Sequence, residues 1–319
     1  MAGDMEPLSN QEMSDVNGQG VGIVMEDFRF SQRHDSGTFK LGGITNDAGE
    51  NVEVIVNNLY LGGEDSDFGN DLQTFNLGRL TNPFRLQLLD GDELSNASES
   101  AFRGKAVLEF SAPKKVAQGA GVACLPGGSD TGCVSRAPSS GVRGERMDMG
   151  VATTIRSGSS APQNLNVHFE SAVVDGSHIR LFGAEASDGD QRLRAQIQSN
   201  LYTPRLSINA CDQTGASCGD SIAFNDFMME LTLGTEVQPL LLSVLGAGHE
   251  VQAERGNLRV ELDDIEGRST EFYEDYYANP DNRSDIRVGD IQIGDQNLGG
   301  MRMEGMLFQK LETTTRSLD

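Results

Sequence analysis

Between Asn51 and Asp90 the apolar residues recur at every second position. Val52, Val54 and Val56 fall on one side of an extended chain, and Glu53 and Asn57 fall on the other. That period of two predicts a strand with one buried face. Leu59 and Leu61 resume the pattern after a slip at Asn57-Asn58, which predicts a bulge or tight bend. Phe75 and Leu77 repeat it, as do Phe84, Leu86 and Leu88. Pro83 has no N–H for a ladder, so it belongs at a strand start or on an edge.

The same alternation runs through most of the chain. Val21, Ile23 and Met25, then Phe28 and Phe30, predict a strand with a phase change near Asp27. Further strands are expected over 38–44, 105–112, 165–169, 179–182, 192–198, 205–209, 227–233 and 258–262. The C-terminal part carries short alternating pieces, Ile291 with Ile293, Met301 with Met303 and Met306 with Phe308, punctuated by glycines. The run PLLLSVLGAG from Pro239 reads equally as a buried strand or a short helix. STEFYEDYYANPDNRSD, from Ser269, reads as a surface loop or a short helix ending before Pro280. Residues 7–18 read as a short helix, with Ser9 and Glu12 forming a capping box and Gly18 ending it. Residues 90–101 read as a polar loop.

The expected class is mainly β: an elongated, multi-stranded sheet or sandwich-like architecture with a short N-terminal helix. The segments are an N-terminal helical piece (1–19), a first β lobe (20–115), a loop-rich connection (116–162) and a second β lobe (163–319). The connection is rich in Gly, Ser and Pro. The alternative is one continuous β domain.

Composition narrows the function. Apolar residues are 37% and Trp is absent, which suits thin sheets better than a thick core. A formal charge of −23 repels phosphate backbones and excludes nucleic acid as a natural partner. No apolar run reaches the roughly 20 residues of a membrane-spanning helix. The opening Met1-Ala2-Gly3-Asp4 looks like a start methionine set before a mature terminus from which an export signal has been removed. The four cysteines fit that route. Cys124 and Cys133 bracket one turn-rich loop, and Cys211 and Cys218 bracket another. Neighbouring pairs predict two local disulfides, although four cysteines allow three connectivities. Disulfides in turn imply an oxidising compartment: periplasm, cell surface or medium.

Candidate chemistry is sparse. Glu64, Asp65, Asp67, Asn70 and Asp71 crowd one loop, and hard oxygen ligands suit Ca²⁺. The spacing is not that of an EF-hand, and a solvated acidic turn is the plainer alternative. Asp188 with Asp190, and Asp281 with Asp285, are weaker pairs of the same kind. His34, His168, His178 and His249 form no zinc-like pair. His168 and His178, on neighbouring strands, are candidates to meet across a sheet, and structural histidines are the plainer alternative. No nucleophile elbow and no phosphate-binding loop occurs. No catalytic residue and no cofactor beyond Ca²⁺ is expected.

Three phrases carry a family resemblance. The opening EPLSNQEMSDVNGQG, the phrase LTNPFRLQL from Leu80 and the ending DIQIGDQNLGGMRMEGMLFQKLETTTR resemble FilA-like, pilus-associated proteins of Gammaproteobacteria. The motifs stand at the start, middle and end of the chain. The resemblance implies an exported cell-surface protein with a role in a filament, and carries no catalytic residues. The resulting expectation is a structural or interaction protein, a subunit or accessory factor of a pilus-like filament or extracellular matrix, whose partners are protein subunits. The alternative is a β-rich module of the cell envelope that binds lipid or another apolar ligand. A secreted hydrolase using paired carboxylates ranks last.

Overall fold

The computed structural model describes residues 20–32, 39–68, 72–78, 80, 83–97, 99–113, 146–185, 191–211, 218–244, 257–262, 265 and 267–315. The expected N-terminal helix over 7–18 lies outside them, as do His34, His249, Asp188 and Asp190.

The chain is mainly β. Its first strands are β1 Val21–Ile23, β2 Met25–Phe28, β3 Phe30–Gln32, β4 Phe39–Thr45, β5 Asn51–Gly62, β6 Phe75–Leu77, β7 Phe84–Asp90 and β8 Ala106–Ser111. The middle strands are longer: β9 Met147–Ser157, β10 Gln163–Ala172, β11 His178–Glu185, β12 Gln191–Cys211 and β13 Cys218–Leu233. Short strands close the order: β14 Leu240–Val244, β15 Leu258–Leu262, β16 Ser284–Val288, β17 Asp290–Ile293, β18 Gln296–Asn297, β19 Met301–Met306 and β20 Leu311–Thr314. Among the described residues two α-helices interrupt them, α1 Gly91–Leu94 and α2 Thr270–Ala278. A 3₁₀ turn, Pro280–Asn282, follows α2. All strands but β2 and β6 join one antiparallel sheet of eighteen strands, and β2 and β6 pair with each other.

The hairpin β12–β13 is the spine. Its register runs from Ile197↔Leu233 to Cys211↔Cys218, and a disulfide joins the two cysteines at its tip. Toward the tip β12 also pairs β10, and β13 pairs β17. At the other end β12 pairs β11 and β14, and β13 pairs β16. The sheet therefore has two parts. One is β4–β5–β9–β10–β12–β13–β17; the other is β1–β7–β8–β11–β12–β14–β15–β20.

Partners change along one seam. Pro204 and Asp226 face each other between Thr203↔Phe227 and Arg205↔Asn225. Asp226 has φ +53°, and Ser171, in the adjacent bulge of β10, has φ +50°. Gly289, between β16 and β17, donates to Asn225 O at 2.8 Å, where an added Cβ would lie 2.8 Å from Asp226 Cβ. Bulges of this kind bend strands and re-aim side chains. The apolar phase slips by one here: Leu193, Ile197 and Leu201 hold odd positions, Leu206 and Ile208 even ones. Leu201 nevertheless shares an apolar cluster with Phe169 and Met149, so one apolar face continues through the seam.

Several expectations match in detail. The ladder of β5 with β9 shifts register between Val56 and Asn58. β2 shifts between Met25 and Phe28, with Asp27 at φ +52°. The segment from Ser269 forms α2, capped by Ser269 Oγ, which accepts from Phe272 N at 3.1 Å. PLLLSV enters the sheet as β14.

Others need correction. The pieces at 192–198 and 205–209 belong to one strand of 21 residues. Pro204 reads as a break, yet it sits where the ladder is already interrupted opposite Asp226, so its missing N–H costs no bond. The connection at 116–162 contains β9, paired on both edges with β5 and β10. Its alternation of Met147, Met149, Val151 and Ile155 is diluted by Gly150, Ala152 and two threonines. The polar loop at 90–101 opens with α1, capped by the Asp90 side chain. On β5 the deeply buried side is not that of Val52, Val54 and Val56. Ile55 and Asn57 are each 5% exposed and Tyr60 2%, all on the opposite side.

Candidate functional site

A cavity lies on the polar face of the β1–β20 part. Directly opposed residues on antiparallel strands share a face. One row reads Gln87–Glu109–Arg180–Gln196, and the next reads Ser111–His178–Gln198–Thr232. Asn200 and Glu230, opposed on β12 and β13, continue this face. Every position in these rows is polar. Burial of such a face requires each group to find a hydrogen bond. Arg180 donates from Nε to Glu109 Oε2 at 2.7 Å and from Nη1 to Gln196 Oε1 at 2.9 Å. Gln198 donates to Asn200 Oδ1 at 2.9 Å and accepts from Thr232 Oγ1 at 2.6 Å. Asn200 donates to Asp175 O at 3.1 Å, and the Tyr202 hydroxyl donates to Glu230.

A roof covers this face. From α1 onward the chain runs through Phe102, which packs with Val107 and Phe182. The turn after β13 clamps that loop: Glu236 Oε2 accepts from Asn96 N at 2.9 Å and Ala97 N at 3.1 Å. From the other side come the end of α2 and the 3₁₀ turn. Tyr276 anchors α2 through Gln238, and Asn282 Nδ2 bonds Tyr276 O. Between roof and sheet lies a cavity of about 330 Å³. A second hollow, of about 380 Å³, adjoins it and shares the lining residues Asn96, Glu236, Asn279 and Asn282. Its wall adds the rings of Phe272 and Tyr276, stacked with centroids 5.6 Å apart.

Burial would raise the Glu109 carboxyl, but the hydrogen bond and charge of Arg180, with help from Gln87, hold it below its ordinary value. Burial, and then the Arg180 charge, push His178 below the ordinary histidine value. His178 donates to Gly176 O, which leaves Nε2 as an acceptor. That atom is buried and has no hydrogen-bond partner among the described residues.

The acidic loop is placed on the other part of the sheet. Asp148, 4% exposed on β9, accepts from Ser66 N at 3.1 Å and from Ser171 N at 2.6 Å. Burial raises its pKa even so. Glu64 accepts from Arg146 at 3.0 Å and from Ser171 Oγ at 2.8 Å. Tyr60 donates to Ser66 O, and Phe68 stands edge-on to Tyr60 at 5.1 Å. Gly150 makes room for that ring: a Cβ there would come within 2.1 Å of it. Of the Ca²⁺ set, Glu64 and Asp65 flank this turn, Asp65 at φ +69°, with Asp67 beyond Ser66. Asn70 and Asp71 lie outside the described residues. No group of three or more His, Cys, Asp or Glu side chains converges for a metal among the described residues.

His168 and His178 do not meet. They oppose Ser207 and Gln198, nine positions apart on β12. His168 packs instead against Tyr60 and Phe68, where burial lowers its pKa. Cys211 and Cys218 form the expected disulfide; Cys124 and Cys133 lie outside the described residues.

The sequence reading passed over the cavity. Its one local signal is in β12, where Gln196, Gln198 and Asn200 alternate with Ile197 and Ser199. Amides, rather than the lysines and glutamates of a solvated face, mark a side that is covered.

No family model, no curated protein and no solved structure matches this chain. No helix among the described residues is long and apolar enough to cross a membrane.

Proposed function

We propose that this chain is an exported, non-catalytic interaction protein of the cell surface, a subunit or accessory factor of a filament or matrix. One observation carries the reading: the apolar face of the β1–β20 part stands half open. Val21, Leu86, Phe110, Ile179, Ile197 and Leu233 form one row across it. Leu108, Leu181, Ala195, Leu240, Leu262 and Leu311 form the next. In the second row Ala195, Leu240 and Leu262 are buried, at 1%, 4% and 3%; toward its edges the face is open, with exposure of 63% at Val21, 43% at Leu108 and Phe110, and 69% at Val244. Contiguous apolar surface of this extent marks an interaction site. A second copy presenting the same rows would cover it. The Cys211–Cys218 disulfide fits an oxidising route, and the resemblance to pilus-associated proteins points the same way.

The test is assembly of the purified chain, followed by sedimentation and electron microscopy. The wild-type protein is expected to form oligomers or filaments. Leu108→Lys with Phe110→Lys should leave monomers with an unchanged far-ultraviolet spectrum. A wild type that stays monomeric at its highest soluble concentration would overturn the reading. The same open rows favour a second reading, an apolar ligand held against this face; lipid co-purifying with the wild type but not with the double variant would select it.

A further inference from the structure

The two adjoining hollows on the polar face form a site whose chemistry selects its ligand. Gln196 and Asn200, 8% and 3% exposed, line its floor, and Glu236, 9% exposed, lines its shared wall. Buried groups of this kind reject a ligand that cannot return hydrogen bonds, because each bond lost costs its full desolvation. An apolar ligand therefore does not fit. An anion meets Glu230, Glu236 and Asp281, while Arg180, the one cation among the described lining residues, is already engaged by Glu109 and Gln196. A metal ion has no convergent set of three ligands among the described residues. An organic cation would find the carboxylates Glu99, Glu230, Glu236, Asp275 and Asp281, but the carboxamides of Asn96, Gln196, Gln198, Asn200, Asn279 and Asn282 both donate and accept, which favours a neutral ligand dense in hydroxyls. Each hydroxyl donates once and accepts twice. Amides match both roles, carboxylates take the donated protons, and His178 Nε2 is a buried acceptor with no partner among the described residues. Phe272 and Tyr276 supply the apolar part of the second hollow's wall, with the Arg268 guanidinium 5.1 Å from the Phe272 ring centre. The volumes, about 330 and 380 Å³, fall in the range of small-molecule sites.

We infer that the two hollows bind a neutral saccharide, its hydroxyls held among Asn96, Asn279, Asn282, Glu236 and His178 and its carbon face held against Phe272 and Tyr276. This site lies on the face opposite the apolar rows, so it stands or falls independently of assembly.

The experiment uses the full chain with its disulfide intact. Glucose, galactose, mannose, N-acetylglucosamine and their short oligomers are titrated by calorimetry, beside a sulfated sugar, a quaternary amine and an acidic peptide. At least one neutral saccharide is expected to bind saturably. Asn96→Ala, at an exposed rim position, and Asn279→Ala should each weaken it about tenfold, the equivalent of about 1.4 kcal/mol. Phe110→Gln, on the opposite face, should leave the affinity unchanged. Circular dichroism shows whether each variant is folded, and Asp275→Ala, fully on the surface of α2, is a second rim variant expected to weaken binding without touching the core. The inference is overturned if no neutral saccharide binds, if only a charged probe binds, if binding survives all three rim substitutions, or if Phe110→Gln lowers it as much as they do.

Discussion

The two faces of the β1–β20 part differ in a way that inverts the usual arrangement. One face is built of Leu, Ile, Val and Phe and stands half open. The other carries Gln, Asn, Arg, Glu and His beside the buried Val107 and Phe182, and is roofed by α1, the loop through Phe102, α2 and the 3₁₀ turn. Alternation along a strand says which residues share a face, but not which face is covered. Cover comes from segments far away in sequence: Glu236 holds Asn96, and Gln238 holds Tyr276. A polar face can be buried only when its groups are bonded to one another, and the Gln87–Glu109–Arg180–Gln196 row shows how.

Substitutions on the two faces should separate sharply. The largest effect is expected at Phe102, 1% exposed, where the roof meets the sheet. Phe102→Ala should cost about 4 kcal/mol in urea unfolding, from lost burial plus the cavity left behind. Next is Arg180→Leu, which strands the Glu109 carboxylate, its side chain 7% exposed, and should cost about 3 kcal/mol. The sharper test adds Glu109→Leu to it: removing both partners should recover most of the loss. A double variant as unstable as the single one would mean that packing, not the stranded charge, sets the cost.

A smaller effect is expected from pH. His178 faces Arg180 on its own strand, Glu109 on β8, and the Asp281 carboxylate, and its folded pKa lies below the ordinary value. The unfolded chain therefore takes up the proton first as pH falls through about 6.5. Stability should decline from neutral pH downward, and melting temperature against pH should show a shallower decline in His178→Gln. The depressed Glu109 carboxyl acts in a separate, more acid window. Its contribution is present above the ordinary Glu value and is lost as pH falls through the lower folded one. The smallest effect belongs to the open face: Phe110→Gln should change unfolding free energy by no more than about 0.5 kcal/mol. A loss comparable to that of Phe102→Ala would show that the apolar face is covered after all.

Much of the fold was legible because strands leave local marks. The slip at Asn57-Asn58 and the phase change at Asp27 each appear as a break in period two, and each is a register shift in the structure. The join of 192–198 to 205–209 was not legible, because the tolerance of Pro204 within a strand depends on Asp226 across the ladder. β9 was hidden because Gly150, which leaves room for the Tyr60 ring, and Ala152 beside it carry little strand propensity. The cavity was the least legible part. It is assembled from β11, β12 and β13 and two roof segments, and no short stretch contains it. Only the amides of β12 betray it, and they do so through what they are not: charged.

The shared hairpin β12–β13 has a consequence for how this chain can be divided. Since β12 serves both parts of the sheet, a cut at Pro204 would strip a central strand from each and leave raw ladder edges on both fragments. Neither piece would be a module able to travel alone. The protein should melt in one calorimetric step, and a protease nick near residue 204 should dissolve the whole rather than release half.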